Sequence, residues 1–384
     1  MRLAGQPWLQ NPSTQAVCAA LTAQGASAYF VGGCVRNALM GVPVADIDIA
    51  TDATPQEVLE LAKAAGIKSI PTGIDHGTVT LVEGHIPHEV TTFRRDVATD
   101  GRRAVVAFSK DIAEDAARRD FTMNALYARP DGALEDPLNG LPDLEHRRVR
   151  FIGNAGDRIR EDHLRTLRYF RFHAWYGDAE AGFDPEALAA IAENLEGLAK
   201  LSKERITSEL LKLLAAEDPA PSVAIMRQTG VLGQILPGAD DRALAPLLHL
   251  AAKEAQDPIT RLAALGGAEL QSHLRLSKQQ ARLHEHLREA AIGTAGAEEL
   301  SYRLGLEIAR GAMLLRAALL EQPLEPDLER KLRQGAEAKF PVTAQDLMPD
   351  LSGAALGKAL KRLEAGWIAS GFALDKEELL NSLK

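Results

Sequence analysis

The pattern of apolar and polar positions changes period about a third of the way along the chain. Over the first 125 or so residues, short β-prone runs alternate with glycine turns and brief helical stretches, which reads as a mixed α/β unit. Ala28 to Val31 is such a run, stopped by Gly32 and Gly33, and Cys34 to Met40 suits a short helix. Asp46 to Ala50 alternates Asp-Ile-Asp-Ile-Ala, which puts two carboxylates on one strand face and apolar residues on the other. Thr54-Pro55 predicts a capped helix start, with the helix running to about Gly66. Thr78 to Val82 and His85 to Phe93 predict a hairpin around Glu83-Gly84, and residues 94–104 a mobile loop. From about residue 111 leucine and alanine recur at three- and four-residue spacing through 184–215, 222–252, 259–290 and 298–320, so the remainder is expected to be helical. No fixed-period repeat or low-complexity tract interrupts it.

Composition narrows the class. At 384 residues the chain exceeds one ordinary core, and 46% apolar with 25% charged residues is a globular balance. No apolar run reaches membrane-spanning length, and the opening MRLAGQPWLQNPST lacks the basic-then-apolar order of a secretory signal. The two cysteines, Cys18 and Cys34, form no CxxC pair, so neither a disulfide framework nor a cysteine zinc site is expected. A cytoplasmic location without membrane contact follows. The net charge of −9 excludes a general nucleic-acid coat, yet residues 94–171 carry 16 Lys or Arg against 14 Asp or Glu. Most of these cations are arginines, suited to phosphates and base edges, so RNA binding is expected in a groove.

The candidate chemistry lies in YFVGGCVRNALMGVPVADIDIATDATP. Side chains two apart on a strand project together, roughly 6–7 Å apart at Cα. That spacing suits the ion pair of a two-metal phosphoryl-transfer site, whose members lie about 3.5–4 Å apart, and hard oxygen ligands favour Mg²⁺. Asp46 and Asp48 are therefore the expected catalytic metal ligands. Gly32 and Gly33 leave room for a triphosphate to approach the backbone, and Arg36 completes the expected phosphate cradle. Either a lone DxD or a lone GG is usually structural. The two together, in strand–turn–helix–strand order, outweigh that reading.

This segment resembles the signature of the class II tRNA nucleotidyltransferases (CCA-adding enzymes) and bacterial poly(A) polymerases, a branch of the polymerase β-like superfamily. The likeness continues through EVTTFRRD, TDGRRA, RRDFTMNALYA, DPLNG and EDHLRTLRYFRFHA, over roughly residues 28–210. Asn37 stands where the family usually has Asp, and Arg103 where its loop usually has His. The resemblance implies an α+β fold: a polymerase β-like nucleotidyltransferase head with a small mixed sheet, then an elongated all-helical neck, body and tail. The expected boundaries are 1–140 for the catalytic head, 141–215 for a base-selecting neck, and 216–384 for a tRNA-binding body and tail.

The resemblance also implies roles. Glu89 is expected to support the metal pair as a third acidic group, and Arg119 to bind nucleotide. Asp120 reads as a cap for the helix after it. On one helix, Asp162, Arg165 and Arg168 step by three and span about 120° of a face. An Asp acceptor beside an Arg donor matches the edges of cytosine and adenine, whereas uracil and guanine present an acceptor where a donor is needed, a mismatch worth about 1–3 kcal/mol. Arg171, half a turn from Asp162, is expected to reach nucleotide phosphate or RNA. Arg205 and Glu209 read as an i,i+4 helix pair.

The expected reaction is attack of an RNA 3′-hydroxyl on the α-phosphate of CTP or ATP, on tRNA held by its acceptor and T arms. CCA addition is favoured over poly(A) synthesis by the acidic C-terminal half, the TDGR loop, and a CCA-enzyme-like ending at residues 349–375. Enzymes adding only CC or only A remain alternatives. A non-catalytic RNA-binding protein ranks lower, since both aspartates are kept, and an oxidoreductase lower still, since no GxGxxG follows a strand. The histidines form no HExxH pattern, and no His-Asp dipeptide occurs.

Overall fold

A computed structural model describes residues 2–3, 5–99, 104–251 and 257–383. They form two compact units, Met1–Pro237 and Gly238–Lys384.

The first unit opens with α1 (Pro7–Gln10) and α2 (Pro12–Thr22), followed by β1 (Ala28–Val31), α3 (Gly33–Met40), β2 (Asp48–Thr51) and α4 (Pro55–Ala64). Thr54 caps α4 in a reciprocal box with Glu57, as the Thr-Pro start predicts. Three strands follow, β3 (Lys68–Gly73), β4 (Thr78–Glu83) and β5 (Ile86–Thr92). The turn between β4 and β5 places Gly84 and His85 at positive φ, the geometry a tight hairpin demands. The expected loop at 94–104 is instead the hairpin of β6 (Arg94–Thr99) and β7 (Ala104–Phe108), while Asp100–Arg103, with the family loop's Arg103, lie outside the described residues.

The expectation of helix from about residue 111 also needs correction. After α5 (Ile112–Ala117) come two-residue strands β8 (Tyr127–Ala128) and β9 (Leu134–Glu135), which extend the sheet to the order β3-β4-β5-β2-β1-β8-β9. Among the described residues only β2 and β5 pair in parallel.

Helices then take over: α6 (Leu141–Glu145), α7 (Ala155–Glu161), α8 (Leu164–Tyr176), α9 (Pro185–Glu193), a 3₁₀ segment Leu195–Lys200, and α10 (Lys203–Leu214). Helix α8 buries Tyr169, Phe170 and Phe172. The Phe172 and Tyr169 rings pack on Phe121, at 4.9 Å and 6.2 Å between centroids. Burying such rings contributes about 2–3 kcal/mol each, and it clamps α8 beside the segment that follows α5. The unit continues to Pro237, past the expected neck boundary at 215.

The second unit is helical in all its described elements, from Leu244–Ala251 to Lys376–Asn381. Its last core gathers Val342, Leu347, Leu363, Trp367 and Leu379. Among the described residues no helix is long and apolar enough to cross a membrane.

Candidate active site

Strand β2 begins at Asp48, with Asp46 just before it. The parallel pairing of β2 with β5 sets Asp48 in register with Glu89, so three carboxylates share one end of the sheet. Asp46 and Glu89 are exposed and Asp48 is half-buried. Burial, then the charges of Glu89 and Asp46, push the Asp48 carboxyl up to about 6 against the pull of Arg119. Repulsion of this kind is what a bound cation relieves. Among the described residues no three His, Cys, Asp or Glu side chains close around one point, which leaves Glu89 as a neighbour of the pair. Behind β2, the Cys34 thiol faces the carbonyls of Val31 and Asp48, and burial pushes it up to about 11, so it stays an inert thiol.

Gly32 caps the start of α3 at φ 71°, ψ −122°, a conformation open to glycine alone at low cost. A Cβ there would sit 3.5 Å from Nη1 of Arg119. The Arg119 guanidinium thus lies over the glycine turn, and its charge pulls the Asp48 carboxyl down against burial and Glu89. Its Nε and Nη2 donate to Asp115 at 3.3 and 3.0 Å, and Nε also reaches the Tyr127 hydroxyl at 3.1 Å. Tyr127 in turn donates to Asp115 at 2.7 Å. Burial alone would lower the Arg119 pKa, but Tyr127 and Asp115 hold it above its ordinary value. Asp115 and Tyr127 are partners of Arg119 that the sequence reading missed. The i,i+4 spacing of Asp115 and Arg119 was the available signal.

Arg36 is buried against α8 and fully engaged. It donates to Asn124 (2.5 Å), Asn37 (2.9 Å) and the Tyr176 hydroxyl (2.8 Å), and its guanidinium carbon lies 3.9 Å from the Tyr176 ring centroid. In this conformation it joins α3 to α8, and its Nη2 stays beside the glycine turn, 3.8 Å from where a Cβ of Gly33 would sit. Asn37 accepts from that arginine and donates to the Pro43 carbonyl.

The expected single helical face through Asp162, Arg165 and Arg168 is broken. Asp162 is extended (φ −152°, ψ 105°) between α7 and α8, because its Oδ1 accepts from the Leu164 amide at 3.1 Å and starts a new helix. Its Oδ2 accepts from Arg205 at 2.6 Å. Arg165 donates to Glu161 at 2.5 Å and to the carbonyls of Arg158 and Arg118. Arg168 donates twice to the buried Asp120, so Asp120 is one half of an ion pair and not a helix cap. Arg171 pairs with Glu209 at 2.7 Å and so points to α10, not to a free phosphate site. The expected i,i+4 pair of Arg205 and Glu209 is replaced by these two bonds across helices, because partly buried partners lie within reach on the facing elements.

A groove of about 710 Å³ lies elsewhere in this unit, lined by Arg150, Asn154, Arg160 and Glu193 among others. It touches none of these residues. Gly32→Ala tests the turn directly. The strained φ is expected to cost about 1–3 kcal/mol in stability and, by moving Arg119, to raise the KM for nucleotide about tenfold. Steady-state kinetics with an unchanged KM would separate the turn from nucleotide binding.

Residues 28–150 match the family model described as "Poly A polymerase head domain", and residues 182–242 the one described as "Probable RNA and SrmB- binding site of polymerase A". The chain is 36% identical over 374 residues to the mitochondrial CCA tRNA nucleotidyltransferase 1 of Mus musculus, covering 92% of this chain and 86% of that protein. It is also 36% identical over 333 residues to the CCA-adding enzyme of Geobacillus thermodenitrificans, covering 82% and 80% of the two chains. The crystal structure of the Bacillus stearothermophilus CCA-adding enzyme in complex with CTP superposes with TM-score 0.75 at 30% identity, over 95% of this chain and 94% of that one. A shared fold, a shared order of motifs and identity across most of both chains place this protein in the family of CCA tRNA nucleotidyltransferases.

Proposed function

We propose that this enzyme adds CMP, CMP and AMP in turn to the 3′ end of tRNA, drawing on CTP and ATP. The observation that carries the reading is the carboxylate end of the sheet, Asp46 and Asp48 with Glu89 alongside, set next to a glycine turn roofed by Arg119. The tRNA 3′-oxygen forms a bond to the α-phosphorus as the bond to the β-phosphate oxygen breaks, and pyrophosphate leaves. Asp46 and Asp48 would hold Mg²⁺, and their oxygen donors and mutual repulsion fit that ion. When bound, it lowers the hydroxyl's pKa and neutralises charge on the leaving group. Glu89 supports the pair through its charge.

Gly32 and Gly33 let the triphosphate approach the backbone. Arg119, pinned by Asp115 and Tyr127, presents its Nη1 edge to that phosphate. Asp162 and Arg165 read the base. Although each has protein partners, a carboxylate offers about four acceptor sites and a guanidinium five donors. Both therefore keep capacity for a cytosine or adenine edge. Arg168, Arg171 and Arg36 act through position, fixing α8 between the head and α10. On this reading residues 1–140 are the catalytic head, 141–215 the base-selecting neck, and 216–384 the body and tail that bind the acceptor and T arms of tRNA by shape and backbone contact. The two cysteines, buried as free thiols, accord with a reducing compartment and with the cytoplasmic location expected from the sequence.

Incubating the protein with tRNA lacking its 3′ CCA, and with each labelled nucleotide singly and then together, tests the assignment. The expected result is CTP incorporation, then one AMP, then arrest. Unlimited AMP addition would mean poly(A) synthesis, and absence of any incorporation would overturn the enzymatic reading.

A further inference from the structure

The break between α7 and α8 is braced at two consecutive residues by the 3₁₀ segment Leu195–Lys200 and the start of α10. One contact is the ion pair of Asp162 with Arg205 at 2.6 Å. The other is steric. The imidazole of His163 lies so close over the buried Gly197 that an ideal Cβ there would fall 1.9 Å from Cε1 and 2.0 Å from Nδ1. Any side chain at residue 197 must therefore displace the ring. Nδ1 of His163 is shielded from solvent and has no hydrogen-bond partner, so packing on the glycine holds the ring where it is.

We propose that His163, seated on Gly197, is a positioning residue for nucleotide selection. The inference rests on the reading of Asp162 as a base-selecting group. Asp162 has an extended backbone between two helices, its amide donating to the Arg158 carbonyl at 3.5 Å and its carbonyl accepting from the Arg165 amide at 3.0 Å. Arg205 holds one carboxylate oxygen and the Leu164 amide the other. The peptide that follows carries the next side chain, His163, whose seat on Gly197 fixes the tilt at which those bonds form. Shifting the ring tilts the Asp162 carboxylate away from the amino group that distinguishes cytosine and adenine from uracil and guanine. Nothing in this arrangement touches the phosphates, so the effect falls on choice and KM and leaves kcat at saturating CTP close to the parent's.

Gly197→Ala, His163→Gln and the double variant Gly197→Ala/His163→Ala decide the matter, assayed on tRNA lacking its 3′ CCA with CTP and UTP. Gly197→Ala is expected to raise the KM for CTP about tenfold, the scale of one charge-assisted hydrogen bond, and to narrow the CTP-over-UTP preference by a similar factor. His163→Gln cannot lie flat on the glycine, adds no atom at residue 197, and is expected to narrow the preference in the same direction. Adding His163→Ala to Gly197→Ala removes the clash but also the positioning ring, so the double variant is expected to lose no more than Gly197→Ala alone. A Gly197→Ala or His163→Gln enzyme with parental KM and preference would overturn the proposal, as would a double variant whose loss far exceeds that of Gly197→Ala. Failure of the parent protein to use CTP at all would instead sink the underlying assignment. A change in Tm alone, with selectivity intact, would mark the contact as merely structural.

Discussion

Asp48→Ala is expected to lower nucleotide transfer by at least about 10³-fold, some 4 kcal/mol of barrier, while leaving the fold as stable as the parent or more so. The two halves of this result have one cause. Asp48 stands in register with Glu89 and within the field of Asp46, and burial with those charges pushes its carboxyl up to about 6. A raised carboxyl favours folding below the ordinary carboxylate range, near 4, and that contribution is lost as pH rises through about 6. Deleting the group without divalent ions present should therefore raise Tm more at pH 8 than at pH 4. Initial rates of CMP incorporation at saturating Mg²⁺, paired with thermal melts, check both halves. Near-parental turnover would sink the carboxylate site, and a large fall in Tm would recast Asp48 as a structural residue. Asp46→Ala is expected to match it in activity, with less effect on stability because Asp46 is exposed.

The parts of this site that the sequence made legible are the local ones. A period-two carboxylate pair, a glycine turn after a strand and a Thr-Pro helix start are each written within a few residues; β1, α3 and α4 appear where those patterns put them, while β2 starts two residues later than expected, at Asp48, and leaves Asp46 before the strand. What stayed hidden depends on partners far along the chain. The two residues of β8 are too few to show a period, yet they pair with β1 and bring Tyr127 to Arg119. The register of Asp48 with Glu89 is a tertiary fact. Helical spacing grouped Asp162 with Arg165 and Arg168, and Arg205 with Glu209. The carboxylate of Asp162, however, accepts from the Leu164 amide at the start of α8 and from Arg205, and Glu209 pairs with Arg171. Local pairs on a helix surface are worth a few tenths of a kcal/mol. Half-buried pairs across helices outweigh them, because a carboxylate or guanidinium shielded from water cannot be left alone.

The same reasoning predicts the largest loss of stability in the molecule at Asp120. Its carboxylate is buried, yet it accepts from Arg168, Asn124 and the Phe121 amide. Burial would raise its pKa, but these donors, Arg168 foremost, hold it down to about 2. Asp120→Ala strands the Arg168 guanidinium and unties Asn124, which in turn holds Arg36. Removing one member of a buried pair costs about 3–5 kcal/mol, and that is the loss expected in urea unfolding at pH 7. Because the folded pKa lies below the ordinary value near 4, this stabilisation is complete above pH 4 and fades as pH falls toward 2. The parent's stability should therefore drop across that window, and the variant's should drop less. Asp120→Asn, which keeps an acceptor for the amide and for Asn124 but loses the charge facing Arg168, should fall between them. A loss under about 1 kcal/mol, or an acid slope identical in parent and variant, would show that Arg168 is satisfied without Asp120. On the proposed assignment of Arg119 to phosphate and Asp162 to the base, the Asp120–Arg168 pair joins the two sides of the site, since Asp120 adjoins Arg119 and Arg168 lies on the helix that follows Asp162. Transfer in the Asn variant should accordingly fall with both CTP and ATP, without a change in their ratio.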